Sequence, residues 1–335
     1  LTELNIRKSG RAGRITFNRP KALNALSHRM ALDLHAVLDE WRNDPQVALI
    51  VIDAEGEKAF CAGGDIAAVY RAGLAGDHGI GREFFRDEYL MNAAIADYPK
   101  PIIAFMQGFV MGGGVGVGGH ASHRIVGDST RIAMPEAGIG LIPDVGGTWL
   151  LGRAPGRIGE YLALTGARIG PEDAIHAGLA DLHIPEKEWP ALISLLEETG
   201  EVARINGPIP VSAPLAGRDL SAFGERSVSD IMAALEKTGD EGALEPLRRN
   251  SPLSMAAGLA MVRAARGDRR IQESLSREYR FTWRATEHSD FLEGIRAQII
   301  DKDRAPRWTA DPSDAHVQEL LSPLGENELV WEERA

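Results

Sequence analysis

The 335-residue chain holds one cysteine, Cys61. A disulfide framework and a cysteine-based metal site are thereby excluded, and a reducing, cytoplasmic setting is the expectation. Positive charge is also scarce. Lys and Arg number 37 against 48 Asp and Glu, a formal net charge of −11, and no basic block exceeds three residues. Nucleic acid and anionic membrane are therefore poor main partners, whereas an anionic small molecule needs only a local basic patch. No apolar stretch reaches membrane-spanning length, and the N-terminus shows no charged-then-apolar signal pattern. No serine lies in a G-x-S-x-G elbow, so Ser122 and His123 make a weak triad. The phosphate-binding lysine motif is missing. GGGVGVGG lacks the placing and the downstream acid of a dinucleotide fingerprint. His120 and His123 stand three apart, but nothing near them completes a metal site. No internal repeat is clear.

What is present concentrates between Gly108 and Thr148. An apolar run, Pro101 to Val110, reads as a buried strand, placed at 102–106. It leads into Gly112, Gly113 and Gly114 and a helix expected to continue through His120. Such glycines adopt backbone angles barred to other residues and leave N–H groups bare, as a developing oxyanion requires. A second cluster, Gly63 and Gly64, offers another turn of this kind, with Asp65 a candidate cap for a following helix. Two carboxylates, Glu136 and Asp144, lie eight residues apart in the apolar turns MPEAGIG and IPDVGG. Acids there are costly to bury unless they have a task. The residues alone suggest an acyl-thioester site: backbone donors for a carbonyl, carboxylates for chemistry.

Around this centre the pattern is α/β. Arg14–Asn18 and Val47–Asp53 read as strands. Between them Ser27 caps a helix whose apolar face is Met30, Leu34, Val37, Leu38 and Trp41. Leu74–Gly81 reads as a mobile loop, and Arg82–Tyr98 as a helix with Glu83, Asp87 and Glu88 on a solvated face. Helices follow at Gly156–Thr165, from Pro171 to before Gly178, at Ser227–Thr238, at Pro252–Arg266 and from Ile271 to about Ile300. A short strand is expected at Leu182–Pro185. Composition shifts near NGPIPVSAPLAG (206–217), which divides a core, 1–205, from a mostly helical region, 206–335.

The segments NRPKALNAL (18–26), AFCAGGDI (59–66), the triple glycine, MPEAGIGLIPDVGGT (134–148) and LTGARIGPEDAIHAGLAD (164–181) together resemble the crotonase (enoyl-CoA hydratase/isomerase) superfamily. The resemblance implies a spiral of ββα turns, a helical C-terminal extension and an acyl-CoA ligand, with no cofactor beyond the coenzyme A of the substrate. It assigns oxyanion-hole N–H groups to Gly64 and Gly113. Coenzyme A contacts would fall near Lys21, Leu23, Gly63, Asp65 and Gly112. Hydratases of the superfamily carry a first glutamate where this chain has Gly116; only the second survives, as Glu136. Asp144 stands where dienoyl-CoA isomerases and 3-hydroxyisobutyryl-CoA hydrolases have an acid. The extension SPLSMAAGLAMVRAA, then LSREYRFTWRATEHSDFLEGIRAQIIDKDRAPRW, resembles the hydrolase branch, as does FFRDEYLMN (84–92). There the resemblance counts Glu88 among substrate-contacting residues, against its reading as a solvated group. The implied activity is hydrolysis of a short β-hydroxyacyl-CoA in valine breakdown. Hydration or isomerisation of an unsaturated acyl-CoA is the alternative, and a binding protein without chemistry a more distant one. Superfamily cores often trimerise, but a long extension can cover that surface, so a homo-oligomer is left open.

Overall fold

A computed structural model describes residues 2–207 and 212–331. Residues 208–211 of the expected linker therefore lie outside the described residues. The chain begins with β1 (Leu4–Ser9), β2 (Ala12–Phe17), α1 (His28–Trp41), β3 (Leu49–Ala54), β4 (Ala59–Cys61), α2 (Ala67–Leu74) and α3 (Gly79–Ala96). It continues through β5 (Ile102–Met106), β6 (Phe109–Met111), α4 (Gly113–Gly118), β7 (His123–Val126), β8 (Arg131–Ala133), α5 (Gly147–Arg153) and α6 (Ile158–Thr165). Next come α7 (Pro171–His176), β9 (Leu182–His183), α8 (Trp189–Thr199), α9 (Val228–Thr238) and α10 (Glu241–Arg249). Last are α11 (Pro252–Ala265), α12 (Ile271–His288), α13 (Phe291–Ile295) and α14 (Asp314–Leu320).

Two compact units emerge, each drawn from three separate stretches of chain. The first comprises Leu1–Asp65, Leu90–Ala133 and Arg168–Arg218. It holds both sheets, ordered β1-β2-β3-β5-β7-β9 and β4-β6-β8. Only β1 and β2 pair antiparallel; every other pairing is parallel. Three times in succession the chain lays one strand in the larger sheet and the next in the smaller. This is the α/β spiral that the resemblance implied, and the C-terminal region is helical as expected. Nearly every side chain of β2, β3 and β5 is buried, which explains the nearly continuous apolar runs of β3 and β5. α8 covers one face of the larger sheet. Trp189 meets Phe105 at 5.4 Å between ring centroids, beside Ala12, Leu49, Val51, Ile103, Ile125 and Leu196. A fully buried side chain of this kind contributes about 1.5–3 kcal/mol.

Local signals explain much of the unit. Ser27 accepts from the Met30 N–H and caps α1, and the five predicted apolar residues of that helix are all buried. The strand expected at 102–106 is β5, and the rest of the apolar run from Pro101 to Val110 enters a second strand, β6, in the other sheet. Gly108, at φ 56°, turns the chain between them. A Cβ at Gly108 would lie 2.2 Å from the Lys58 carbonyl oxygen, so only glycine fits the crossing.

The second unit comprises Ile66–Tyr89, Met134–Ala167 and Asp219–Ala335. Ser227 and Asp230 form a capping box at the start of α9. α11 packs on α5 and α6. The helix expected to run unbroken to Ile300 is interrupted at Ser289–Asp290. There the buried Asp290 carboxylate accepts from Ser251 Oγ at 2.7 Å and from Thr309 and Ala310 N–H at 3.0 Å. The expected mobile loop at Leu74–Gly81 is shorter than predicted, because α3 already starts at Gly79.

Candidate active site

In the first unit two glycine turns come together. Ala62 N–H donates to the Leu23 carbonyl at 3.1 Å, Leu26 N–H to Gly63 O at 2.9 Å, and Asp65 N–H to Leu26 O at 2.8 Å. These bonds flank Gly64 on both sides, so its own N–H points away from Leu26. The turn carrying Lys21 and Leu23 is thereby stitched to the 61–65 loop. Asn24 fixes that turn, accepting from Arg19 N–H at 2.8 Å and donating to Ala59 O at 2.9 Å. Lys21 is exposed. Asp65 does not cap α2, whose preceding residue, Ile66, supplies no side-chain cap. Its carboxylate instead pairs with Arg19 at 2.9 Å, a charged partner that outcompetes a neutral N–H.

Gly112, at φ 46°, turns β6 into α4, and Gly113 is the first helical residue. Its N–H therefore has no acceptor within the helix. A Cβ on Gly114 would lie 2.2 Å from the Cys61 carbonyl oxygen, which brings the two glycine clusters into contact. α4 stops at Gly118, short of the predicted His120, and Gly116 within it is buried without a side chain. Ser122 and His123 lie 3.0 Å apart, but Ser122 Oγ donates to Ile102 O and accepts from Ile102 N–H, tying down a strand.

The acids lie in the second unit. Glu136 opens a single 3-10 turn after Pro135, and its carbonyl accepts from Gly140 and Leu141 N–H. That turn is pinned by Ser251 N–H on Ala137 O at 2.9 Å. Asp144 precedes two left-handed residues, Val145 at φ 56° and Gly146 at φ 76°. A β-branched residue in that region carries strain on the order of 1–3 kcal/mol. Asp144 accepts from the Tyr89 hydroxyl at 2.7 Å. Glu88, one residue earlier on α3, is buried, so its predicted place on a solvated face is corrected. Glu83 on the same helix does remain exposed.

Two residues that the sequence reading passed over complete this group. One is Tyr89. The other is Glu278 on α12, fully buried, which accepts from Gly146 N–H at 2.7 Å and Thr148 N–H at 3.0 Å. A signal existed: Glu278 falls in an inward stripe with Ile271, Leu275, Thr282 and Ala285, all buried. Asn92, one turn beyond Glu88 on α3, is also buried, and neither of its amide atoms has a hydrogen-bond partner among the described residues.

Burial dominates the electrostatics. It pushes Asp144 up to about 7 against the Tyr89 hydrogen bond, which pulls the other way. Burial, then the Asp144 charge, pushes both Glu136 and Glu88 well above the carboxylate range. Burial pushes Glu278 to about 8 against its hydrogen bonds from Thr148 and Gly146. The Asp144 charge therefore works with burial to disfavour ionisation of Glu136 and Glu88. One oxygen of Glu136 and one of Glu88 are buried without a partner among the described residues. Such atoms cost stability and are kept where a ligand completes them. No group of three or more His, Cys, Asp or Glu among the described residues could hold a metal ion.

Residues 12–322 match a family described as enoyl-CoA hydratase/isomerase. The chain belongs to that family. Among curated relatives, the chicken (Gallus gallus) 3-hydroxyisobutyryl-CoA hydrolase, named as mitochondrial, is 38% identical, with 97% of this chain and 90% of that protein covered. The human (Homo sapiens) protein of the same name is 36% identical over 98% and 91%. Among solved structures, a Rhodobacter sphaeroides protein described as an enoyl-CoA hydratase is 52% identical, with a TM-score of 0.95 over 98% of this chain and 100% of that one. A Mycobacterium thermoresistibile protein described as a carnitinyl-CoA dehydratase is 37% identical, TM-score 0.94, over the full length of both chains.

Proposed function

We propose that this protein hydrolyses the thioester of a short β-hydroxyacyl-CoA, 3-hydroxyisobutyryl-CoA first among them, giving 3-hydroxyisobutyrate and free CoA as a step of valine breakdown. The observation that carries the reading is Glu136: a buried carboxyl with an oxygen unpartnered among the described residues, set in one electrostatic group with Asp144. The reaction asks the glycine donors and these acids to act on one thioester. Gly64 and Gly113 N–H groups would receive the carbonyl oxygen as it gains charge, a donor of this type being worth about 10²–10³ in rate. Once ionised, Glu136 would attack the carbonyl carbon. The C–S bond then breaks, the thiolate takes a proton, and water opens the mixed anhydride to release the acid. The same carboxylate could instead take a proton from the attacking water. Asp144 and Glu88 would engage the acyl 3-hydroxyl. The names of the curated relatives support this substrate.

The Rhodobacter sphaeroides relative's description favours a second reading, hydration of an enoyl-CoA. Gly116 weighs against it, since the first carboxylate of a hydratase pair would fall at that position, where this chain has no side chain. We also propose a reducing compartment, the cytoplasm by the sequence reading, which the buried Cys61 thiol suits. A homo-oligomer is proposed too, and light scattering tests it.

Glu136→Gln tests the role of the acid. The neutral amide matches in size a carboxyl whose charged form burial already disfavours, so folding and acyl-CoA binding are expected to persist. Thiol release is expected to fall by about 10³ or more, as removal of an acid–base or nucleophilic group does. Turnover within tenfold of the parent protein would remove Glu136 from the chemistry.

A further inference from the structure

Asp144 stands at the head of a turn that backbone preference alone does not favour. Val145 and Gly146 both take left-handed angles, φ 56° and 76°, with the β-branched residue first. Three donors from Gly146 and Thr148 converge on Glu278. Gly146 N–H reaches Oε2 at 2.7 Å, Thr148 N–H reaches Oε1 at 3.0 Å, and the Thr148 hydroxyl also donates to Oε1. Glu278 is wholly buried in the middle of α12, with no cation in an ion pair with it among the described residues. An apolar side chain would pack there at less cost if packing were the whole task.

The same helix acts on Asp144 a second time. Thr282, one turn beyond Glu278, has its Oγ1 3.4 Å from the Tyr89 hydroxyl, and that hydroxyl donates to Asp144 at 2.7 Å. α12 therefore holds the backbone after Asp144 through Glu278 and lies against its carboxylate's donor through Thr282.

We infer that Glu278 is a positioning residue for Asp144: its carboxyl group clamps the 144–148 turn in the left-handed form and so sets where the Asp144 carboxyl stands. What Asp144 then does rests on the hydrolase reading above, whereas the clamp rests on these hydrogen bonds alone. The region lies in the C-terminal extension, so this part of the chain completes the acid group as well as the fold.

The test compares Glu278→Ala and Glu278→Gln with the parent protein by steady-state thiol release and by amide hydrogen exchange at Gly146 and Thr148. Loss of a hydrogen bond to a neutral carboxyl corresponds to about 2–10-fold, and Glu278→Ala loses three. Glu278→Ala is expected to lower kcat about 100-fold with KM unchanged within about threefold, and to speed both exchanges by a similar factor. Glu278→Gln keeps the size and one acceptor, and about tenfold is expected. A residue that only supports the fold would lower the melting temperature and leave kcat per folded molecule intact; that result, or unchanged exchange, overturns the inference. Should Glu278→Ala not fold, Thr148→Val removes only the hydroxyl, and an unchanged kcat there overturns it equally. If the parent protein releases no thiol, the hydrolase reading fails, and the exchange comparison still decides whether Glu278 clamps the turn.

Discussion

Tyr89→Phe removes one oxygen, and the structure specifies its effect. The hydroxyl donates to Asp144 at 2.7 Å, and this bond is the leading influence holding the Asp144 carboxyl down against burial. A hydrogen bond to a charged group is worth about 1.5–3 kcal/mol. At 1.36 kcal/mol for each pKa unit, its loss raises the ionisation of Asp144 by about 1–2 units. The direction follows because the bond favours the charged form, so removing it favours the neutral one. Starting from about 7, the charged fraction at pH 7 falls roughly 5- to 50-fold. Because the acids interact, the rate profile reports the apparent ionisation of the group. The assay is thiol release at saturating acyl-CoA from pH 5.5 to 9.5, with the melting temperature measured alongside. The expected result is an acid limb displaced upward by about 1–2 units with recovery at high pH. The limb is assigned to Asp144 as the charged acceptor of the acyl 3-hydroxyl; one that stays in place in a folded variant, or moves down as relief of the Glu136 carboxyl would make it, refutes that assignment.

Other perturbations test neighbouring parts of the account. Gly114→Ala places a Cβ 2.2 Å from the Cys61 carbonyl; overpacking against backbone costs about 1–3 kcal/mol, so a lower melting temperature and weakened turnover are expected together. Stability should also fall with rising pH. Asp144 and Glu278 are raised to about 7 and about 8, so the native state holds protons that the unfolded chain has released above about pH 4.5. The stability they contribute is complete below that pH and is lost as pH rises through 7 and 8. Urea unfolding at pH 5, 6, 7 and 8 measures the slope, which Asp144→Asn should reduce.

How far the sequence carried depended on the range of the interactions. α1 was legible because Ser27 and the apolar spacing after it are local, and Ser27 does cap the helix. The division of Pro101–Val110 into β5 and β6 was not, because it depends on sheet partners far along the chain and on the turn at Gly108. Asp65 looked like a cap until Arg19, 46 residues away, supplied a stronger partner. Glu88 was assigned by its acidic neighbours to a solvated face, yet helical spacing turns it inward beside Tyr89 while Glu83 stays exposed. Arg277 and Arg280 flank the inward stripe of α12, so the charge pattern around Glu278 disguised a buried acid. Glu136 and Asp144 were legible because apolar, glycine-bounded turns make a carboxylate conspicuous.

The central claim is that thioester cleavage, not addition of water to a double bond, is the reaction. It is tested by incubating the unmodified protein with 3-hydroxyisobutyryl-CoA, following free thiol, and in parallel following the enoyl absorbance of crotonyl-CoA. The account predicts rapid thiol release from the first and no loss of absorbance from the second. Loss of enoyl absorbance without thiol release would contradict it and make the protein a hydratase despite Gly116.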